Sequence, residues 1–138
     1  MDPLINRKSV LVVEDDKDMN CILCDALEQA GYDAYPAFTG REALEQLENM
    51  APDVVVLDLM LPDADGADVC RILNTPVGRN VVIVVSARND SASKLASYIS
   101  GARRYVTKPF DVEDLIATIE NELRQRQLTR LQHEDETF

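Results

Sequence analysis

Four apolar runs of this chain each lead into side chains that can bind a metal ion or a phosphoryl group. These side chains are Glu14, Asp15 and Asp16 after the first run, Asp58 after the second, Ser86 after the third and Lys108 after the fourth. Carboxylates are ligands of Mg²⁺, and hydroxyl and ammonium groups stabilise phosphoryl oxygens. An aspartate can also accept a phosphoryl group covalently. If the four runs end at one place in the fold, these residues predict cation-assisted phosphoryl chemistry.

Strands and helices alternate along the chain. Short apolar runs, typical of strands buried on both faces, lie at 10–13, 54–57 and 81–85. A weaker strand is predicted at 33–37 and a short fifth strand at 105–107. Segments with helical periodicity follow them at 19–30, 39–47, 67–73, 90–100 and 111–123. Such alternation predicts a parallel sheet with helices on both faces.

Pro36 restricts the order of the predicted strands. Proline lacks the N–H group that a central strand needs, so the second strand belongs at an edge of the sheet. The order 2-1-3-4-5 with right-handed crossovers satisfies this condition. We therefore predict an α/β fold of the flavodoxin-like, doubly wound type, a (βα)5 three-layer sandwich. Ligands of such sheets bind at the carboxyl ends of the strands, where the acids, Ser86 and Lys108 would meet.

The predicted group of carboxylates needs a counter-ion, because like charges that lie close together repel one another. Mg²⁺ suits the group, since it binds through one or two carboxylates together with waters and phosphate oxygens. Taken singly, each residue has an ordinary explanation: an aspartate after a strand often caps a helix, and Lys108 could be a surface charge. Their joint occurrence at one sheet edge favours the functional interpretation.

Composition and charge argue against several other classes of protein. The 138 residues, 46% hydrophobic and 28% charged, predict one soluble globular domain. The net charge of −11 argues against direct binding of nucleic acid or anionic lipid. No apolar stretch approaches the length of about 20 residues that spans a membrane. The amino-terminal residues lack the apolar core of a secretory signal, which predicts a cytoplasmic location.

The three cysteines are Cys21, Cys24 and Cys70. Their odd number predicts reduced thiols. Cys21 and Cys24 have the C-x-x-C spacing of redox motifs, but they lie in a segment with helical periodicity. Both are therefore predicted to be buried helix residues. The single histidine, His133, lies in a polar tail, which leaves too few ligands for a zinc site.

The set of motifs resembles the receiver domain of bacterial two-component response regulators. The matching segments are VLVVEDD at 10–16, VVVLDLMLPDADG at 54–66, VVIVVSA at 81–87 and GARRYVTKPF at 101–110. The resemblance runs from Ser9 to about Arg126. We predict a receiver (phosphoacceptor) domain at 7–124 and a tail or linker at 125–138, in which Leu128 and Leu131 could extend the last helix.

The resemblance implies a phosphoacceptor and a metal site. Asp58 would accept a phosphoryl group from a histidine kinase. Glu14 and Asp15 would hold Mg²⁺ together with Asp58, directly or through water. The backbone carbonyl of Met60 would complete the protein ligands.

The resemblance also implies the parts of a switch. Ser86 would be the hydroxyl that turns toward the phosphoryl group. Lys108 would contact that group, and its bond to Pro109 would be cis. Tyr105 would be the aromatic rotamer switch.

The function implied is that of a signalling phosphoacceptor and not of an enzyme with an external substrate. The chain would catalyse only its own phosphoryl transfer and a slow autodephosphorylation. Phosphorylation would reshape the surface of the fourth predicted helix, the fifth strand and the fifth predicted helix. That surface would signal to an output domain or a downstream protein, and it could also pair two copies of the chain in a homodimer.

Three other interpretations remain to be compared with this one. A receiver-like protein-binding module that is never phosphorylated should have lost part of the acidic set or the lysine, and all are present. A phosphatase of the haloacid-dehalogenase type needs a second acid two positions after the nucleophile, where this chain has Met60. A flavodoxin-like electron carrier needs a phosphate-binding loop after the first strand, where the three acids would repel phosphate. The binding module is the main alternative.

Overall fold

The computed structural model describes residues 7–62, 81–99 and 101–136, with side chains described as far as Thr129. The described elements, in chain order, are β1 Ser9–Val13, α1 Lys17–Gln29, β2 Asp33–Ala37, α2 Gly40–Asn49, β3 Val54–Asp58, β4 Val81–Ser86, α3 Ser91–Ile99, β5 Arg104–Thr107 and α4 Val112–Glu136. The helix predicted at 67–73 lies outside the described residues, so α3 and α4 are the fourth and fifth predicted helices. Of the helices described, none has the length and apolarity to cross a membrane.

The five strands form one parallel sheet in the order β2-β1-β3-β4-β5, which confirms the predicted flavodoxin-like fold. Pro36 lies on the edge strand β2, where it pairs with Val12. The register places the carboxyl ends of the central strands side by side, because Asp58 at the end of β3 pairs with Val85. Ser86 at the end of β4 pairs with Thr107 at the end of β5. The residues that follow these strands therefore share one edge.

The central strands are buried on both faces, as their continuous apolar runs predict. Alternate residues point to opposite sides, so the sheet separates two apolar cores. One core contains strand residues such as Leu11 and Leu57 together with Ala43 of α2. The other contains residues such as Val12 together with Leu23 of α1 and the amino-terminal half of α4. The result is a three-layer arrangement that holds the strand ends rigidly.

Both α1 and α2 begin with side-chain caps. Asp16 is the N-cap of α1, where its Oδ1 accepts a hydrogen bond from the Met19 N–H at 3.1 Å. Thr39 caps α2 by accepting from the Glu42 N–H at 3.0 Å. The Glu42 carboxylate accepts in return from the N–H of Phe38, one residue before the cap. Asp16 is thus committed to the start of α1 and differs in role from the two acids before it.

The last helix is longer than its predicted segment, because α4 continues through Glu136. Its first half packs Leu115 and Ile119 into the core, whereas Leu128 is 48% exposed. The backbone of 125–136 is therefore helical, which is one of the states that the sequence allows for this segment. The domain boundary at 124 remains a prediction.

Candidate functional site

Lys108 joins two acids that lie far apart in the sequence. Its Nζ lies 2.6 Å from Glu14 Oε1, after β1, and 3.1 Å from Asp58 Oδ2, at the end of β3. Both carboxylates are 4% exposed. The peptide bond between Lys108 and Pro109 is cis, as the resemblance implies. The sheet edge thus brings one ammonium group between two buried carboxylates.

Asp15 joins the same group and gives it the composition of a cation site. Carboxylate oxygens of Glu14, Asp15 and Asp58 all lie within 4.8 Å of one another. Glu14 Oε2 is buried and has no hydrogen-bond partner among the described residues. A buried oxygen without a partner is costly, and a hard divalent cation would offset that cost. The all-oxygen donor set and the unpaired Oε2 therefore fit Mg²⁺.

The Asp58 carboxylate is held at both oxygens. The Met60 N–H donates to Oδ1 at 2.9 Å, while Lys108 contacts Oδ2. Met60 follows β3, and its side chain is exposed. These bonds orient the carboxylate, while the metal-binding role of the Met60 carbonyl remains a prediction.

Ser86 and Tyr105 meet at the backbone of Arg88. Ser86 is fully buried, and its Oγ accepts from the Arg88 N–H at 3.1 Å. The half-buried Tyr105 donates its O–H to the Arg88 carbonyl at 2.8 Å. The Ser86 carbonyl in turn accepts from the Lys108 N–H at 2.8 Å. Hydrogen bonds to the Arg88 backbone therefore connect the end of β4 with Tyr105, and a backbone hydrogen bond connects it with Lys108.

The two buried acids have opposite pKa shifts. Burial and the neighbouring Asp58 carboxylate raise the pKa of Glu14 to about 7, although Lys108 acts against them. Burial alone would also raise the pKa of Asp58, but the neighbouring Glu14 and the hydrogen bonds from Met60 and Lys108 outweigh it and hold that pKa below its ordinary value. Burial acts to lower the pKa of Lys108, but its two carboxylate partners raise it overall. Near neutral pH, Asp58 is therefore ionised while Glu14 can keep a proton.

The unfolding free energy of the metal-free protein should contain a contribution from Glu14 that falls with rising pH. A carboxyl whose pKa is raised by folding contributes stability fully below its unfolded value of 4.5 and loses it as pH rises through about 7. The size is at most about 3.5 kcal/mol, at about 1.4 kcal/mol per pKa unit. The lowered pKa of Asp58 acts in the opposite direction, and its contribution is lost only at more acidic pH.

Urea unfolding of the wild type and of Glu14→Gln, at a series of pH values with a chelator present, isolates this contribution. The glutamine variant removes the titration, so the difference between the two proteins should change across the interval from 4.5 to about 7. A difference that stays constant over that interval would contradict the raised pKa.

Asn20 helps to position the site, and the motifs of the sequence do not predict this role. It is fully buried in α1, and its Nδ2 lies 3.2, 3.0 and 3.2 Å from the carbonyl oxygens of Val12, Glu14 and Ala37. These contacts fix the connection between β1 and α1, and hence the position of Glu14. One signal was present: leucines three and seven residues later lie on the same buried stripe of the helix, so a polar residue interrupts an apolar pattern.

The prediction that Cys21 and Cys24 are both buried is wrong for the first of them. Cys21 is exposed and Cys24 is partly buried, and both are free thiols. Cys21 lies on the solvent side of α1 because the buried stripe of the helix passes through other positions. Cys70 lies outside the described residues.

Alkylation should separate the two thiols in the native protein. Burial, with the neighbouring Asp25 as a smaller cause, raises the pKa of Cys24 to about 11. Its thiolate fraction at pH 8 is then on the order of 10⁻³, and thiolate is the reactive form. Iodoacetamide at that pH, followed by peptide mass spectrometry, should label Cys21 well before Cys24. Equal labelling rates would contradict this account and reopen a redox role for the pair.

Comparison with known proteins shows the family to which this fold and these motifs belong. The family model of the response regulator receiver domain matches residues 10–120. The receiver domain of a Francisella response regulator is 35% identical, with a TM-score of 0.80 and coverage of 88% of this chain and 99% of that one. The BeF₃-activated receiver domain of DrrB is 34% identical, with a TM-score of 0.79 and coverage of 86% and 99%.

Two further structures extend the comparison. A CheY-like receiver domain protein from Methanospirillum hungatei is 26% identical, with a TM-score of 0.85 and coverage of 90% of this chain and 99% of that one. A longer structure of DrrB, from Thermotoga maritima, is 33% identical, with a TM-score of 0.80. The match covers 87% of this chain and 54% of that one. With the family model matching most of its length, this chain belongs to the family of response regulator receiver domains.

Proposed function

We propose that this chain accepts a phosphoryl group on Asp58 from a histidine kinase, in a site that also binds Mg²⁺. The observation that supports this most directly is the contact of Lys108 with both Glu14 and Asp58, next to the unpaired Glu14 Oε2. A lysine between two acids can neutralise them in the resting protein and contact phosphoryl oxygens during transfer.

Glu14, Asp15, Asp58 and the Met60 carbonyl would hold the metal ion. Receiver domains bind Mg²⁺ at an acidic pocket, and the acids of this chain lie close enough together to form one. When bound, Mg²⁺ would supply positive charge against these carboxylates and against the phosphoryl oxygens. Glu14 would give up its proton on metal binding, because metal ligands bind in their ionised form.

Asp58 is better suited than Glu14 to be the nucleophile. Its pKa is lowered, so it is ionised, and the Met60 N–H and Lys108 orient its oxygens. In the transfer, an Asp58 oxygen forms a bond to phosphorus while the bond from phosphorus to the histidine nitrogen of the kinase breaks. The electron pair of that bond stays with the imidazole, and Lys108 and Ser86 donate hydrogen bonds to the phosphoryl oxygens.

The phosphoryl group would then change the population of two conformations. It adds a charge of about −1.5 to −2 and strong acceptor oxygens, to which Ser86 can turn from its present partner Arg88. Tyr105 donates to the carbonyl of the same Arg88, so the positions of Ser86 and Tyr105 are coupled. The size of the shift is limited by the difference in interaction energy between the two conformations.

The surface of α3, β5 and α4 would carry the signal to an output domain or a downstream protein, or pair two copies of the chain. Leu95 is 62% exposed on α3, and Tyr98 of the same helix is 46% exposed, so apolar side chains are available there. The chain would act as a phosphoacceptor with only its own transfer and slow autodephosphorylation to catalyse. The odd number of cysteines, which is typical of reduced thiols, supports a cytoplasmic location.

Beryllofluoride, which mimics an aspartyl phosphate, tests the proposal. We expect the chain to bind it only in the presence of Mg²⁺, with NMR shift changes around Asp58, Ser86 and Tyr105. The receiver domain of DrrB is one relative known in a BeF₃-activated form. A chelator should abolish binding, and Asp16→Asn should leave it unchanged because Asp16 caps α1. Failure to bind at saturating Mg²⁺ would favour a module that works without phosphorylation.

A further inference from the structure

Tyr105 is held from three directions in the described structure. Its ring packs against the apolar core on the α2 side of the sheet. Its hydroxyl donates to the Arg88 carbonyl at 2.8 Å. The ammonium of Lys94 lies over the ring, with Nζ 5.9 Å from the ring centroid. The third contact comes from α3 and not from the loop after β4 that carries Arg88.

Lys94 is itself firmly placed at the start of α3. The Asp90 carboxylate accepts from the Ser93 N–H at 2.9 Å and from the Ser93 hydroxyl at 3.0 Å. The Lys94 N–H donates to the Asp90 carbonyl at 3.2 Å. These bonds cap the first turn of the helix, so the backbone of Lys94 moves together with α3.

We infer that Lys94 is a positioning residue, which holds the Tyr105 ring in its packed position by a cation–π contact and so couples α3 to the switch. A lysine ammonium within about 6 Å of a ring centroid is attracted by the negative face of the ring. The contact links an exposed helix to Tyr105, and Arg88 links Tyr105 to Ser86. α3 and the phosphorylation site then respond to each other.

The direction of the coupling follows from the proposed function, on which this inference rests. Movement of Ser86 toward the phosphoryl group would leave more space for the Tyr105 ring in its packed position, so the phosphorylated conformation favours that position. Lys94 stabilises that position and therefore favours binding of a phosphoryl group or its mimic. Loss of the ammonium would release the ring and weaken binding.

Beryllofluoride titration of the full chain with Mg²⁺ tests the coupling. Lys94→Met, which keeps the length of the side chain and removes its charge, should weaken binding by about two- to five-fold, the worth of such a contact at a partly exposed site. Lys94→Arg should restore it, because a guanidinium also binds aromatic faces. Lys8→Met, a matched loss of charge beside the start of β1, should have no effect.

A double-mutant cycle separates positioning from a general effect of charge. In a Tyr105→Leu background, Lys94→Met should no longer change beryllofluoride affinity, whereas in a Tyr105→Phe background, which keeps the ring, it should still do so. The same loss in the leucine background, no loss in the wild-type background, or a gain in affinity would overturn the inference.

The ring resonances of Tyr105, measured by NMR without Mg²⁺ or beryllofluoride, give a second readout. Lys94→Met should shift them and Lys94→Arg should restore them, and unchanged resonances would overturn the positioning role itself. If the wild type fails to bind beryllofluoride, the proposed function fails and the coupling with it. The NMR result then still decides whether Lys94 positions Tyr105.

Discussion

Asp58→Asn is expected to abolish covalent labelling of the chain by a small phosphodonor such as acetyl phosphate. The amide is a poor nucleophile, so the aspartyl phosphate cannot form, and the loss should be at least about a hundred-fold. The geometry should otherwise persist, because an asparagine oxygen can still accept from the Met60 N–H and Lys108 keeps Glu14 as its partner. The measurement is incorporation of radiolabelled phosphorus in the presence of Mg²⁺.

A matched substitution two residues after Glu14 provides the control. Asp16→Asn makes the same chemical change on the same rim, and asparagine caps a helix about as well as aspartate does. Its labelling should equal that of the wild type, with the same unfolding midpoint. Undiminished labelling of Asp58→Asn would refute Asp58 as the acceptor, and loss of labelling in both variants would point to a general effect of acidic charge.

The strand order and the convergence of the acids followed from local sequence features. Pro36 restricts β2 to an edge, and the continuous apolar runs require helices on both faces, and the observed order satisfies both conditions. Asp58 and Lys108 then had to meet, because parallel strands end at the same edge. The strand order and the meeting of these residues follow from backbone hydrogen bonding and from burial. Short stretches of sequence are enough to indicate both.

Other features of the site depend on distances between segments that lie far apart in the sequence. The periodicity of apolar residues does not predict such distances. The raised pKa of Glu14 requires its burial and its separation from Asp58, and the unpaired Oε2 requires the position of Lys108. The exposure of Cys21 depended on which stripe of α1 faces the sheet. The sequence also did not decide whether the last helix continues through Glu136, since the polar segment is compatible with a helix and with a solvated tail.

Lys108→Met is expected to change two measured quantities in opposite directions. The Lys108 ammonium lies 2.6 Å from Glu14 Oε1 and 3.1 Å from Asp58 Oδ2. In the absence of a phosphoryl group it therefore competes with a divalent cation for these oxygens. Methionine fills similar space without charge, and Mg²⁺ affinity should therefore rise, on the order of tenfold. Phosphoryl uptake should fall by about 10²–10³-fold, because a donor to the developing phosphoryl charge is lost.

Opposite changes in Mg²⁺ affinity and phosphoryl uptake would distinguish a role of Lys108 in transfer from damage to the fold. A variant that misfolds would lose metal affinity and labelling together, whereas the proposed role predicts tighter metal binding with poor transfer. Calorimetric titration with Mg²⁺ and labelling by acetyl phosphate measure the two quantities on the same preparation, and Lys8→Met controls for the loss of one positive charge. Unchanged labelling would remove Lys108 from the transfer step, and weaker Mg²⁺ binding would mean that its ammonium supports the carboxylates and does not compete for them.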